Sequence, residues 1–220
     1  MNNSDMEPKM NMISAFVKEI QILKNTKQCL NLSISNFSVF ENLHSSVNIV
    51  RNGMGLEWES EVPANSKFDL IIGDLPLGLG KIDYQHGSKK LKIRENWTMI
   101  LKSLKYILPG GIAIFLVEPM AFSSNEGVKF EELLNSEGYF VNAILNAPEG
   151  LLKPKTAITP VIVIISDNLA KSIFVAELLN QKQSRIVASN FLSSIIAGDP
   201  MCQPDPIQSL YEITYISGPE

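Results

Sequence analysis

The residues able to do chemistry gather between Asp74 and Arg94 of this 220-residue chain. Asp74 follows the apolar run Leu70-Ile71-Ile72-Gly73 and precedes Leu75-Pro76-Leu77-Gly78-Leu79-Gly80. A run without alternation suits a strand buried on both faces. The Pro and Gly residues behind it keep a helix from starting at once. Open parallel sheets bind their ligands outside the carboxyl ends of the strands, in turns of this kind. There Asp74 serves either as an active-site group or as a cap for the turn that follows, and Gly73 permits close backbone approach. Beyond the turn, Lys81, Lys89, Lys90, Lys92 and Arg94 surround His86. Such a cluster reads as a strip along nucleic-acid phosphates, with steep salt dependence, or as a solvated mobile loop.

Other chemistry finds little support. His44 and His86 have no partner at metal-ligand or nucleophile spacing. Cys29 and Cys202 stand alone without a CxxC or Cys/His pattern, which disfavours a disulfide framework or zinc site and points to a reducing, cytoplasmic setting. Ser123-Ser124-Asn125-Glu126 reads as a helix N-terminal cap rather than a nucleophile. Lys153 and Lys155, flanking Pro154, read as surface residues, and Trp58 and Trp97 as core or interface aromatics. No P-loop, GxSxG or HExxH occurs. The net charge of −4 argues against a whole-surface nucleic-acid binder but leaves room for a local basic strip. Hydrophobic content of 45% provides for a real core, the N-terminus is polar without a signal-peptide core, and no apolar stretch approaches the ~20 residues that span a bilayer.

The elements that must position Asp74 follow from periodicity. Ile13, Phe16, Val17, Ile20 and Leu23 mark an amphipathic helix over 12–24, behind a loose lead-in. Residues 25–46 are ambiguous, strand-like at Leu30, Leu32, Ile34 and Phe37 and helix-like from Val39 to Leu43; they read as a turn and a second helix, with Val47 to Val50 as a short strand. Residues 53–67 read as loop and 78–91 as a long mobile polar loop. Trp97, Ile100, Leu101, Leu104 and Ile107 make a helical face, stopped by Leu108-Pro109-Gly110-Gly111. Strands are expected at Ile112 to Val117, Tyr139 to Leu145 and Ile158 to Ser166, with a helix over Val128 to Ser136 ending at Gly138. Ser172 to Ala176 suits an edge strand, and 177–197 is partly helical. Residues 198–220 form a linker and, from Leu210, the start of a further element. Alternating strands and helices predict an α/β, Rossmann-like, mostly parallel sheet with helices on both faces. The two late strands, joined without a helix, add an antiparallel hairpin.

Several of these segments fall in a familiar order. Phe68-Asp-Leu-Ile-Ile-Gly-Asp-Leu-Pro-Leu-Gly resembles the catalytic strand and turn of adenine-specific DNA methyltransferases, whose pattern is Asn or Asp, Pro, Pro, then an aromatic. Leu108-Pro-Gly-Gly with Ile112-Ala-Ile-Phe-Leu is similar to the helix end and strand that come next. The run from Gly138 to Ile164, with Asn146-Ala-Pro-Glu-Gly-Leu-Leu-Lys-Pro-Lys, resembles the distal hairpin of type I restriction-modification methylase subunits. Asn48-Ile-Val-Arg-Asn-Gly-Met-Gly-Leu is similar to the preceding strand and its cofactor-side turn.

The resemblance covers roughly residues 45 to 170 and implies a methyltransferase-type domain over 1–197, with 1–46 as helical lead-in. It implies a catalytic turn made of Asp74, Leu75, Pro76 and Leu77, with Asp74 accepting a hydrogen bond from an adenine amino group. The expected cofactor is S-adenosylmethionine, and the expected partners are DNA, met by Lys81, Lys89, Lys90, Lys92 and Arg94, and a specificity or restriction subunit. Leu75 stands where the family has a second proline and Leu77 where it has an aromatic that stacks on the flipped base. No glycine occurs in residues 1–47, where the cofactor turn belongs, and Gly53-Met54-Gly55-Leu56 lacks the carboxylate expected near the cofactor adenine. The cofactor-binding residues are therefore unknown. The expected function is a degenerate methyltransferase-like domain, structural or DNA-contacting. An active enzyme completed by a partner chain or missing segment, and a protein-interaction module on the same scaffold, are the alternatives.

Overall fold

A computed structural model describes residues 7–33, 39–40, 43–50, 56–87, 89–122, 124–153, 156–169, 172–197 and 216–217. The first element is helix α1 (Glu7–Leu23), which buries Ile13, Phe16, Val17 and Ile20 as its periodicity requires. Strand β1 follows (Cys29–Ser33), buried along its whole length. This corrects the expectation of a turn and helix over 25–46. The strand-like spacing of Leu30 and Leu32 is the pattern that holds, although the buried run also contains the polar Asn31 and Ser33, and residues 39–40 form a turn. Strand β2 (Val47–Val50) stands where expected, and a 3-10 helix (Leu56–Glu61) in the presumed loop buries Trp58.

Strand β3 (Phe68–Asp74) is the central apolar run. The segment after it is not a mobile loop but a hairpin of β4 (Lys81–His86) and β5 (Lys89–Arg94), turning through Gly87 at φ +55°. Helix α2 (Glu95–Leu104) and strand β6 (Ile107–Val117) come next. Leu108-Pro109-Gly110-Gly111 does not stop the helix, which ends at Leu104. It bulges out of β6 between the pairs Phe68↔Ile107 and Leu70↔Ile112, with Gly110 at φ +72°. Helix α3 (Asn125–Ser136) is capped by the Ser124 side chain, which accepts from the Gly127 N–H at 3.1 Å. Strands β7 (Phe140–Asn146), β8 (Val161–Ser166) and β9 (Ser172–Glu177), helix α4 (Gln181–Ala197) and the two-residue β10 (Ile216–Ser217) complete the order. The linker expected over 199–206, and most of the strand expected from Leu210, lie outside the described residues.

The main sheet runs β10-β9-β7-β8-β6-β3-β1-β2. β8 lies antiparallel between β6 and β7, and β10 is antiparallel to β9; every other pairing is parallel. This is the expected mostly parallel sheet with a late antiparallel member, set inside the sheet rather than at its rim. Two apolar layers flank it. One joins α2, α3 and Trp58; the other joins α1, α4, Val39 and Phe40. Because β3 and β6 pack on both faces, their sequences are apolar without alternation.

Gly73 is explained by its neighbour in register, Phe115 of β6. A Cβ at Gly73 would lie 2.5 Å from Phe115 Cδ1. The close approach anticipated at Gly73 is therefore a ring of the protein's own core. Gly73→Ala is expected to destabilise the chain by about 1–3 kcal/mol through overpacking, read as a lowered midpoint in chemical denaturation.

Candidate functional site

The strand order places the switch point between β1 and β3: the chain moves outward from β1 to β2, then returns to the other side of β1. The crevice outside the carboxyl ends of these strands is where an open α/β sheet receives a ligand. Asp74 ends β3 there, opposite Ser33 of β1. Its carboxylate is only 2% exposed and accepts a hydrogen bond from the Val39 N–H at 2.9 Å. Two residues before the end of β1, the Asn31 side chain donates to the Phe40 carbonyl at 3.0 Å and accepts from the Ser33 hydroxyl at 3.0 Å. Val39 and Phe40 are themselves buried. Two buried polar side chains, on β1 and at the end of β3, thus hold the chain's own backbone at 39–40.

The turn behind Asp74 is fixed from the next strand. Glu118, immediately after β6 and 4% exposed, accepts the Gly78 N–H at 2.6 Å. It also accepts both contacts of the Asn96 Nδ2, at 3.0 and 3.1 Å. Leu75 is fully buried in the α2/α3 layer, while Pro76 is half-buried and Leu77 packs on the other layer. The turn therefore bridges the two faces of the sheet. Glu118, Asn96 and Asn31 escaped the sequence reading. Glu118 carried a usable signal, since it follows an unbroken apolar strand in the same way that Asp74 does.

The five cations divide. Lys81 and Arg94, paired in register at the base of the hairpin, both meet Glu126 in the first turn of α3: Lys81 by a direct hydrogen bond, Arg94 with Nε at 3.9 Å. Arg94 also donates to the Leu79 carbonyl at 3.3 Å and lies 5.7 Å from the Trp97 ring centroid. Lys90 is paired with Asp83 at 2.8 Å. Lys92 is exposed, and Lys89 takes its place in β5 as the register partner of His86. The hairpin gathers these residues into one ribbon, and two carboxylates, Glu126 and Asp83, meet three of them.

Cys29 offers no nucleophile, because burial pushes its thiol up to about 12. Among the described residues no three His, Cys, Asp or Glu side chains cluster as metal ligands would. What the arrangement does chemically is accept hydrogen bonds. Both carboxylates at the carboxyl edge, Asp74 and Glu118, take them from the protein's own backbone.

No family model matches the sequence, and no curated protein matches it. Solved structures do match the fold. A chain named as a class I S-adenosylmethionine-dependent methyltransferase from Listeria monocytogenes superposes with a TM-score of 0.55 at 17% identity, over 86% of this chain and 70% of that one. The chain has the methyltransferase fold. The methyltransferase subunit of a type I restriction-modification system from Streptococcus thermophilus gives a TM-score of 0.58 at 11% identity, over 86% of this chain and 52% of the other. A chain from a type I restriction-modification complex gives 0.50 at 12%, over 74% and 43%. The present chain thus spans about half the length of the restriction-modification chains it matches. Among the described residues no helix is long and apolar enough to cross a membrane.

Asp74→Ala is expected to cost about 1–3 kcal/mol of stability, since it leaves the buried Val39 N–H without its acceptor. Denaturant unfolding measures it, and an unchanged midpoint would show that the bond contributes nothing. The hydrogen bond from Lys81, more than the nearby charge of Lys81 and Arg94, holds the Glu126 carboxyl below its ordinary value of 4.5. A depressed carboxyl stabilises the fold above its unfolded pKa, and that contribution is lost as pH falls through the folded value. A carbon-13 titration should place the Glu126 midpoint below 4.5 in the native chain and return it toward 4.5 in Lys81→Ala.

Proposed function

We propose that this chain is a methyltransferase-fold domain of a restriction-modification type system that does not operate S-adenosylmethionine chemistry by itself, and that it serves as a structural or DNA-contacting part. The observation that carries this reading is the engagement of Asp74. In the resemblance, this carboxylate accepts from an adenine amino group; here it is 2% exposed and accepts from Val39. The residues at the switch point also fit the cofactor poorly. Asn31 and Asp74 are committed to the turn at 39–40. The segment after β1, Ile34-Ser35-Asn36-Phe37-Ser38, contains no glycine that would let a backbone come close to a nucleoside or amino-acid ligand. Leu77 supplies no π face for a flipped adenine.

A second reading, a protein-interaction module on the same scaffold, is favoured by the charge balance of the hairpin. Glu126 and Asp83 meet three of the five cations assigned to DNA. A phosphate strip depends on such cations being free to release counterions.

Isothermal titration of the chain with S-adenosylmethionine tests the preferred reading. No saturable heat is expected at a ligand concentration of about 1 mM. Micromolar binding by this chain alone would overturn it.

A further inference from the structure

The β4–β5 hairpin is tied to α3 at both of its ends. At the base, Lys81 and Arg94 meet Glu126. At the tip, His86 Nδ1 lies 3.1 Å from Glu137 Oε1, and Nε2 lies 3.3 Å from the Ser136 hydroxyl at the last turn of α3. Between these ties a cleft of about 500 Å3 separates hairpin and helix, lined by Lys90 to Ile93 of β5 and by Lys129, Leu133 and one carboxylate, Glu132, of α3, so that its cations outnumber its carboxylates. Successive strand side chains point to opposite faces. A cavity that touches four consecutive residues therefore meets β5 along its edge, not on one face.

That edge is open. β5 pairs with β4 in a two-stranded sheet, and among the described residues its other side has no strand neighbour. In an antiparallel pair, residues that exchange hydrogen bonds alternate with residues whose N–H and C=O turn outward. Alternate residues of β5 therefore turn their backbone groups away from β4, to the strand's outer side. Lysines on an exposed edge often serve only to deter pairing. Here the edge faces a helix wall, and one of the three lysines, Lys129, comes from that wall. Lys90 is matched by Asp83, but among the described residues Lys92 and Lys129 form no ion pair, and apolar Leu91, Ile93 and Leu133 lie beside them. No Phe, Tyr or Trp lines the cleft, so stacked nucleotide bases would find no platform.

We propose that this cleft takes an extended acidic segment of a partner protein, added as a third strand on the outer edge of β5. Main-chain hydrogen bonds to β5 supply the affinity, as in other strand-addition sites. Alternate carboxylates of the segment meet Lys92 and Lys129, and the apolar side chains between them rest on Leu91, Ile93 and Leu133. The cleft shares no residue with the Asp74 turn, so the assignment stands apart from the cofactor question.

The test titrates a fluorescein-labelled octapeptide of alternating Glu and Val with the whole chain. An alternating Lys/Val octapeptide and a short duplex DNA are run in parallel. Saturable polarisation of the Glu/Val peptide is expected, with a Kd on the order of 10–100 µM, together with slowed amide exchange within residues 90–93. The double variant Lys92→Gln with Lys129→Gln, two surface changes checked by an unaltered circular dichroism spectrum, should weaken binding by about tenfold. Absence of saturable binding, equal binding of the Lys/Val peptide, or full affinity in the double variant would overturn the assignment. Tighter binding of the duplex, lost in the double variant, would replace it with a nucleic-acid site.

Discussion

Two carboxylates five residues apart in β3 set the geometry of the molecule. Near the amino end of the strand, Asp69 accepts the Lys27 N–H at 2.8 Å and the Gln28 N–H at 3.2 Å, fixing the entry to β1. At the carboxyl end, Asp74 accepts the Val39 N–H and fixes the exit. Between them β1 and β3 are in register from Cys29↔Leu70 to Ser33↔Asp74. β1 is only five residues long and contains two polar side chains, so apolar burial alone specifies it weakly. Hydrogen bonds to carboxylates are roughly twice as strong as neutral ones. They secure the strand on which β2, the switch point and the turn at 39–40 all depend.

The sheet delivers acceptors to the carboxyl ends of neighbouring strands, Asp74 on β3 and Glu118 after β6. Each accepts from the protein itself: Asp74 from the Val39 N–H, Glu118 from the Gly78 N–H and the side chain of Asn96 in α2. A methyltransferase fold supplies the positions for chemistry, but function lives in what those positions face. Here they face backbone. The loops gain rigidity from this, and Leu75, Pro76 and Leu77 are held as a bridge between the two core layers.

Charge is used in the same inward manner around the hairpin. Glu126 at the start of α3 and Glu137 after its end grip the base and tip of a ribbon that stands outside the main sheet. Surface ion pairs of this kind contribute modestly to stability. Their effect is geometric: they hold a two-stranded ribbon at a fixed distance from a helix, leaving a bounded cleft along a strand edge.

Periodicity and composition alone determined the helical faces of α1, α2 and α3, the buried strands β3, β6, β7 and β8, and the antiparallel member late in the chain. The helices follow a 3.6-residue apolar spacing, and the strands are short unbroken apolar runs bounded by Gly, Pro or polar residues. The position of Asp74 at a strand end, and its resemblance to a methylase turn, were equally legible. β1 was only half legible: Leu30 and Leu32 have strand spacing, but Asn31 and Ser33 interrupt the apolar run, and their burial depends on the hydrogen bond between them and on the turn at 39–40. The hairpin was not, because a ribbon of alternating Lys and half-buried residues carries no core signal. Leu108-Pro-Gly-Gly misled, because a bulge and a helix stop draw on the same residues. Which group Asp74 bonds to was decided by tertiary structure alone. A carboxylate's role depends on the donor nearest it, and Val39 is brought there by the pairing of β1 with β3, a contact between segments about 40 residues apart.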